Sequence, residues 1–228
     1  MEGGRKSWKL RRSYLSFLKK YGKPLIARTI EQIATTRLFS HVLVTTDAPE
    51  IAEIARSAGA WVPFLRPPEL SGDEASSLDA LFHAVAQAAT LEPEWRPPFI
   101  ALFQPTSPFL TAAHIKAAVE LYQTEGFTSL SSMCAVSEHP AWMFRVQNPH
   151  RAQPLHPEDF FTPTADLPGL YRENGALYFV KTEFLQENRL LYHFSSHGMF
   201  LMSKEDSVDI DTQTDWDYAE FLLRHNPL

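Results

Sequence analysis

Two aspartates near the C-terminus carry the clearest chemical pattern in this sequence, within Ser207-Val208-Asp209-Ile210-Asp211. In an extended segment, residues i and i+2 point to the same side, so Asp209 and Asp211 are expected to converge while the two apolar residues face the core. Two converging carboxylates repel each other unless a cation or a proton lies between them, and Mg²⁺ with its oxygen ligands suits that position. The alternative is that Asp209 is a solvated turn residue and that Asp211 begins the last helix.

A second polar group follows the apolar run at residues 99–103. An apolar run of this length, stopped by Pro105, predicts a buried strand in the middle of a parallel α/β sheet. Ligands of such sheets bind just past the carboxyl ends of the strands. Gln104, Thr106 and Ser107 lie at that end, in a loop that its prolines stiffen. The alternative is a proline-rich strand exit that only turns the chain.

Phosphate-binding candidates occur at two other places. Gly3 and Gly4 would let backbone N–H groups approach an anion, and Lys6 would add positive charge. Arg66 follows an apolar strand and has the fork geometry for a phosphate, while Asp47 ends a neighbouring strand. The alternatives are an N-terminal tail for the glycines and a surface position for Arg66.

Hydrophobic periodicity predicts the elements that must hold these residues. Strand, helix and strand over residues 41–65 form a βαβ unit, which implies a parallel pair. Thr212 to Asp215 resembles a capping box with Asp in place of Glu, at the start of the last helix. Further strands are expected at 99–103, 129–136, 176–180 and 200–203, and further helices from Pro24, Ser76 or Ser77, Thr111 and Lys181.

Residues 137–172 differ from the rest of the chain, because they are rich in proline and histidine and have no sustained periodicity. We interpret them as an insertion or arm, suited to a subunit contact. The whole chain, residues 1–228, is expected to form one domain that carries this insertion.

Composition excludes several classes of protein. The net charge of −6 argues against a nucleic-acid-binding protein, which normally has a basic face. Cys134 is the only cysteine and is expected to be an inert thiol inside a strand, which fits a reducing compartment. No apolar run approaches the ~20 residues that span a bilayer, and the N-terminus lacks the apolar core of a secretory signal. We therefore expect a cytoplasmic protein that binds neither nucleic acid nor membrane.

Nine short motifs follow one another along the chain in an order that is more specific than any one of them. This order resembles that of the N-acylneuraminate cytidylyltransferases, also called CMP-sialic acid synthetases, over about residues 22–221. The motifs are GKPLIA at 22–27, TTD at 45–47, IAEIA at 51–55, VPFLRP at 62–67, ELS at 69–71, ASS at 75–77, QPTSP at 104–108, ENGALY at 173–178 and SVDIDT at 207–212.

The resemblance implies a Rossmann-like α/β nucleotidyltransferase with a mostly parallel sheet and helices on both faces. Such an enzyme couples CTP to the anomeric hydroxyl of a nonulosonic acid and releases pyrophosphate, with Mg²⁺ as its cofactor. It also implies a homodimer in which an arm like residues 137–172 reaches the partner subunit.

Individual roles follow from the same resemblance. Asp209 and Asp211 match the magnesium-binding pair and, with Lys6, would be the catalytic residues. The other matches fall into a nucleotide site and an acceptor-sugar site. These are Gly3, Gly4, Lys6, Asp47, Arg66 and Ser76 for the nucleotide, and Gln104, Asn174 and Tyr178 for the sugar acid.

The sequence departs from the family pattern in two places. The family begins with a strand and a glycine-rich loop, of which residues 1–6 would be the remainder, with Glu2 in place of an arginine and Arg5 in place of a serine. Losing that strand would remove the centre of the sheet, and negative charge at a triphosphate site disfavours binding, so we expect slow or no turnover from the chain as given. Leu110 stands where many members carry arginine.

Two alternatives to the main hypothesis follow from these departures. One is a catalytically weak homologue that binds a nucleotide, a sugar or only a partner. The other is a cytidylyltransferase for pseudaminate, legionaminate or 3-deoxy-manno-octulosonate.

Overall fold

The structure, a computed structural model, describes residues 23–72 and 75–225. Within these ranges the chain forms six α-helices and six β-strands, and no helix there has the length and apolar character needed to cross a bilayer. The helices are α1 Leu25–Thr36, α2 Pro49–Ser57, α3 Ser77–Leu91, α4 Ala112–Glu125, α5 Thr182–Asn188 and α6 Gln213–His225. The strands are β1 Phe99–Phe103, β2 Ser129–Ala135, β3 Phe144–Asn148, β4 Arg151–Pro154, β5 Tyr171–Lys181 and β6 His197–Leu201.

The main sheet has four strands in the order β1-β5-β2-β6. β2 and β6 are parallel, while β5 is antiparallel to both β1 and β2, so that three strands run one way and β5 runs the other. β1 and β2 share a direction because α4 connects them, whereas the chain returns from β2 to β5 without a crossover helix. The predicted α/β class is confirmed, but the reversed β5 differs from the expected strand directions.

The apolar strand β1 lies at one edge of this sheet and not in its middle, so that part of the prediction was wrong for the described residues. Only Ile100 of β1 is buried, and the other four residues of the strand are partly exposed. A cleft of about 620 Å³ separates β1 from residues 38–45. A strand that borders an apolar cleft contains the same residue types as a strand in the middle of a sheet. The apolar run at 99–103 therefore could not show whether β1 lies at the edge or in the middle.

The predicted βαβ unit is present as a parallel pairing of Leu43 with Trp61 on either side of α2. The backbone N–H of Val44 donates to the carbonyl of Trp61 at 3.0 Å, and the N–H of Trp61 donates to the carbonyl of Val42 at 2.8 Å. Gly59 has a φ of +93°, the conformation expected just after the end of α2. The parallel direction is thus confirmed, although the pairing is a single bridge and not two full strands.

Helices cover both faces of the main sheet, as the fold class predicts. Phe179 of β5 is fully buried on one face, where its ring lies 5.6 Å from that of Tyr122 on α4. Val180, the next residue, packs on the opposite face with Leu81 of α3 and Leu185 of α5. Successive residues of one strand therefore contribute to two separate apolar layers.

Residues 137–170 form a projection built around the β3–β4 hairpin, which makes a separate two-stranded sheet. Large apolar side chains of this projection remain exposed, including Phe144 at 52%, Val146 at 72% and Phe161 at 91%. The interpretation of this segment as an arm fits that surface, and its role as an insertion in a single domain stays a prediction.

Candidate active site

Gln104, Gly175 and Asp209 meet at the carboxyl end of β1. A Cβ atom added to Gly175 would lie 2.9 Å from Oε1 of Gln104 and 3.2 Å from Oδ2 of Asp209. Gly175 also has a φ of +80°, which residues with a side chain rarely adopt. Only glycine fits this position, and its peptide brings together two polar groups that are 105 positions apart in the sequence.

Asp209 is held in a short extended segment between two core residues. Val208 and Ile210 are 7% and 1% exposed and pack against α6, which confirms the predicted alternation. The backbone N–H of Ile210 donates to the carbonyl of Thr106 at 2.9 Å, and the Thr106 side chain hydrogen-bonds to the carboxylate of Asp209. The loop after β1 therefore supports the aspartate directly.

The surroundings of Asp209 are unfavourable to its negative charge. Burial is the largest cause that raises the pKa of this carboxyl group, and the charges of Asp211 and Asp215 raise it further. The hydrogen bond from Thr106 and the charge of Arg172 oppose the shift in pKa. The Oδ1 atom of Asp209 is buried and has no hydrogen-bond partner among the described residues. A buried carboxylate oxygen without a donor is suited to contact a cation.

Asp211 is exposed at the surface just before α6. Thr212 and Asp215 form the predicted capping box, since the Thr212 N–H donates to Oδ2 of Asp215 at 2.7 Å and the Asp215 N–H donates to Oγ1 of Thr212 at 3.3 Å. Asp211 contributes its backbone N–H to the same carboxylate at 3.2 Å. The start of the helix is thus capped by the side chains of the two residues that the sequence pattern indicated.

Arg66 and Asp47 form an ion pair at the end of the βαβ unit, with 3.9 Å between Nη2 and Oδ1. Nε of Arg66 donates to Oγ of Ser71 at 3.1 Å, so that the guanidinium group is held on two sides. The cleft beside β1 is lined by Arg66 at one place and by Gln104 at another. These predicted nucleotide and sugar residues therefore border one continuous space.

The remaining predicted nucleotide residues are placed differently. Oγ of Ser76 accepts a hydrogen bond from the Leu78 N–H at 3.1 Å and so forms the N-cap of α3. Gly3, Gly4 and Lys6 lie outside the described residues, and their roles stay predictions.

Asn174 lies beneath the site and not on its surface. Its side chain is 1% exposed and hydrogen-bonds to Ser132 and Ser207, which are themselves buried. Leu110, the position of the second departure from the family pattern, is also buried in the apolar core, at 3% exposure. Both side chains are thus buried in this structure, and the role of Asn174 in binding the sugar acid stays a prediction.

Tyr178 belongs to an aromatic and acidic group that the sequence did not reveal. Its ring lies perpendicular to that of Tyr192 with the centroids 6.3 Å apart, and the Tyr192 hydroxyl donates to Oε2 of Glu173 at 2.9 Å. Burial, followed by the negative charges of Glu173 and Asp209, raises the pKa of Tyr178, and the hydrogen bond with Tyr192 opposes this. Tyr178 is therefore a neutral phenol that lies close enough to Asp209 to interact with its charge.

Among the residues that sequence reasoning did not assign, Gly175 and Glu173 lie inside one of the nine motifs. The motif at 173–178 could therefore have pointed to both residues as part of the site. It could not have shown that Gly175 contacts Gln104 and Asp209. Tyr192 lies outside all nine motifs, and no pattern in the sequence indicates its pairing with Tyr178.

The α/β sheet and the polar site at the carboxyl end of β1 are what the resemblance to the nucleotidyltransferase class implied, and comparison with known proteins gives the same class. The solved structure of CMP:2-keto-3-deoxy-manno-octonic acid synthetase complexed with CTP shares the fold, with a TM-score of 0.61 at 14% identity, covering 90% of this chain and 89% of that one. The cytidylyltransferase family model matches residues 16–226. The chain therefore belongs to the cytidylyltransferase family, and the resemblance seen in the sequence is confirmed.

Two curated relatives illustrate the range of this similarity. The CMP-N,N'-diacetyllegionaminic acid synthase of Legionella pneumophila is 30% identical over 206 residues, which cover 90% of this chain and 87% of the relative. The N-acylneuraminate cytidylyltransferase of Escherichia coli is 34% identical over 199 residues, which cover 86% of this chain. The matched part spans only 45% of that second relative, so this chain corresponds to less than half of it.

Proposed function

We propose that this protein transfers the cytidylyl group of CTP to the anomeric hydroxyl of a nonulosonic, sialic-type acid, giving a CMP-sugar and pyrophosphate. The observation that carries the proposal is the meeting of Gln104 and Asp209 over Gly175, in a chain of the cytidylyltransferase family. The names of the relatives, which are synthases of CMP-activated sugar acids, support the same reaction.

Asp209 and Asp211 are the residues proposed to hold Mg²⁺ with the nucleotide phosphates. The partnerless Oδ1 atom of Asp209 and the nearby charge of Asp211 fit that use. The metal would neutralise the negative charge that builds at the α-phosphate of CTP as the cytidylyl group is transferred. Thr106 and Ile210 hold Asp209 in place, so that its carboxylate is positioned before substrate arrives.

The nucleotide and the acceptor are proposed to occupy the two sides of this carboxylate. Arg66, restrained by Asp47 and Ser71, would bind the nucleotide at one end of the cleft. Gln104 would orient the sugar acid through its amide, because an amide both donates to and accepts from hydroxyl groups. Holding the attacking hydroxyl in line with the phosphorus is the main task left to the protein.

A homodimer is part of the proposal, with the arm as its contact. Exposed apolar side chains such as Val146 and Phe161 give the arm a surface that a partner subunit would cover. We place the reaction in the cytoplasm, where CTP is made and where the buried free thiol of Cys134 would stay reduced.

Nucleotide-dependent thermal shift with Mg²⁺ tests the proposed function first. We expect CTP to raise the melting temperature more than ATP, GTP or UTP does. A pyrophosphate-release assay then compares a panel of acids, including N-acetylneuraminate, legionaminate, pseudaminate and 3-deoxy-manno-octulosonate. Equal or absent shifts with all four nucleotides would contradict the proposal and would favour a homologue without a nucleotide site. CTP binding without pyrophosphate release from any acid would favour the catalytically weak homologue.

A further inference from the structure

The side chain of Asn174 is the centre of a buried hydrogen-bond network. Its Oδ1 atom accepts from the Ser132 hydroxyl at 2.5 Å and from the Ala176 N–H at 3.2 Å. Its Nδ2 atom donates to Oγ of Ser207 at 2.8 Å and to Sδ of Met202 at 3.3 Å. An amide has two donor hydrogens and room for two acceptor bonds, so the protein itself uses the full capacity of this side chain.

The network sits where the ladder between β2 and β5 is interrupted. Ser131 pairs with Tyr178, but Met133 pairs with Glu173, so the four residues 174–177 of β5 lie opposite a single residue of β2. Ser132 and Asn174 supply side-chain hydrogen bonds in this gap, and Oγ of Ser132 also accepts from the Leu177 N–H at 3.0 Å. Irregularities of this kind redirect the backbone beside functional sites.

Asn174 is linked to Asp209 through two segments of the chain. On one side, Asn174 directly precedes Gly175, the residue that lies against Gln104 and Asp209. On the other side, Ser207 comes two residues before Asp209, and its hydroxyl donates to the carbonyl of Ser203 at 2.5 Å. Asn174 therefore connects the strand under the site to the loop that presents the carboxylate.

We propose that Asn174 is a positioning residue that sets the place of Asp209 relative to Gln104, and so the affinity of the site for Mg²⁺ in the presence of CTP. Its amide acts through Ser207 and Gly175 and contacts no ligand. This inference rests on the proposed function for the identity of the metal and nucleotide. It replaces the direct contact with the acceptor sugar that the family resemblance implied for Asn174.

Asn174→Asp and Ser207→Ala test the inference in two different ways. Asn174→Asp keeps the shape and the acceptor atoms but removes both donor hydrogens. Ser207→Ala removes the loop hydroxyl that accepts from Asn174 and donates to the carbonyl of Ser203, without placing a charge in the core. It therefore covers the case in which the buried carboxylate of Asn174→Asp prevents folding. Ser129→Ala is the matched control, because this serine is also fully buried on β2 and accepts a hydrogen bond, from the His193 N–H at 2.9 Å, away from the site.

Calorimetric titration of Mg²⁺ into the protein with CTP is the first measurement. Changes to residues that support a metal ligand commonly weaken metal binding by about 10- to 100-fold, and we expect ~10-fold or more for Asn174→Asp. Ser207→Ala should show a smaller loss, of about 3-fold or more, and Ser129→Ala should stay within about 2-fold of the unmodified chain. CTP affinity measured in EDTA should change little in all three. Equal losses in Ser207→Ala and Ser129→Ala would overturn the inference.

Hydrogen exchange of residues 203–211 in the ligand-free protein is the second measurement, and it needs no nucleotide. We expect faster exchange in Asn174→Asp and Ser207→Ala than in Ser129→Ala at matched global stability. Unchanged exchange in both variants would overturn the positioning role. An unmodified chain that binds no CTP would instead contradict the proposed function, and the exchange result would still decide the role of Asn174.

Discussion

Ile210 donates its backbone N–H to the carbonyl oxygen of Thr106 at 2.9 Å, although more than a hundred positions separate the two residues. This bond fastens the segment that carries Asp209 to the loop that follows β1. Ile210 is also 1% exposed in the apolar cluster against α6, so packing and hydrogen bonding fix the same point. The carboxylate thus projects from a segment that is anchored before any ligand binds.

Replacing Gly175 by alanine should impair both the fold and the site. The added Cβ would lie 2.9 Å from Oε1 of Gln104 at a φ of +80°, and a left-handed residue with a side chain costs roughly 1–3 kcal/mol. We expect a free energy of unfolding lower by about that amount and, in a chain that carries the family's complete glycine-rich loop, a large loss of pyrophosphate release. Gly72→Ala is the control, since nothing lies within 4 Å of its added Cβ. Normal activity of Gly175→Ala would contradict the close approach of Gln104 and Asp209 to this position.

Asp211→Asn separates a metal ligand from a helix cap. Because the side chains of Thr212 and Asp215 form the cap of α6, the stability of the ligand-free protein should hold or rise as one repelling charge is removed. Turnover, assayed in a chain that carries the family's complete glycine-rich loop, should fall steeply, because a charged ligand of the proposed metal is lost. Melting temperature and turnover are measured on one sample. Thr212→Ala provides the contrast, with about 1 kcal/mol of capping stability lost. A destabilised but fully active Asp211→Asn would contradict the metal assignment.

Asp209→Asn should stabilise the ligand-free protein in a pH-dependent way. The pKa of Asp209 is raised in the folded state, mainly by burial, so the folded protein binds the proton more tightly than the unfolded chain does. The protonated carboxyl group of Asp209 therefore contributes stability below about pH 4, the ordinary pKa of an aspartate in the unfolded chain. That contribution is lost as the pH rises through the higher pKa of the folded state. Urea unfolding of both proteins should show a gain for Asp209→Asn at neutral pH that shrinks toward about pH 4. A gain in stability that is larger in acid than at neutral pH would contradict a raised pKa for Asp209.

Arg66→Lys should weaken CTP binding without unfolding the protein. Lysine keeps the charge but loses the fork that lies between Asp47 and Ser71. A hydrogen bond to a charged group is worth about 1.5–3 kcal/mol, which corresponds to a loss of roughly 10- to 100-fold in affinity. Calorimetry with CTP measures the change. Arg56→Lys is the control, because Arg56 is a surface residue of α2 that binds the carbonyl of Val62 at 2.9 Å. Similar affinities for the two variants would exclude Arg66 from the nucleotide site.

Phe161→Lys should disrupt the proposed dimer. This side chain is 91% exposed on the arm, so a charge there costs the folded subunit little but would prevent burial in an apolar contact. Light scattering coupled to size-exclusion chromatography should show a dimer for the unmodified chain and a monomer for the variant. Leu91→Lys, at an exposed position at the end of α3, should leave the dimer intact. A dimer that withstands Phe161→Lys would place the contact elsewhere.

Local chemistry could be predicted from the sequence wherever its causes lie within a few residues. Ser76 and Thr111 cap their helices through N–H groups only two or three residues ahead. Thr212 and Asp215 satisfy each other in the same way, and the burial of Val208 and Ile210 follows from simple alternation. The family resemblance likewise depended on motifs that can be recognised one after another along the chain.

The tertiary structure alone decided which distant groups meet. The edge position of β1 and the reversal of β5 depend on strand pairing, which the apolar run 99–103 does not encode by itself. The burial of Asn174 and the closeness of Gly175 to Asp209 arise only when β5 and the C-terminal loop pack together. Contacts of this kind depend on the energy of the whole fold and not on the propensity of any short segment, so composition and periodicity leave them undetermined.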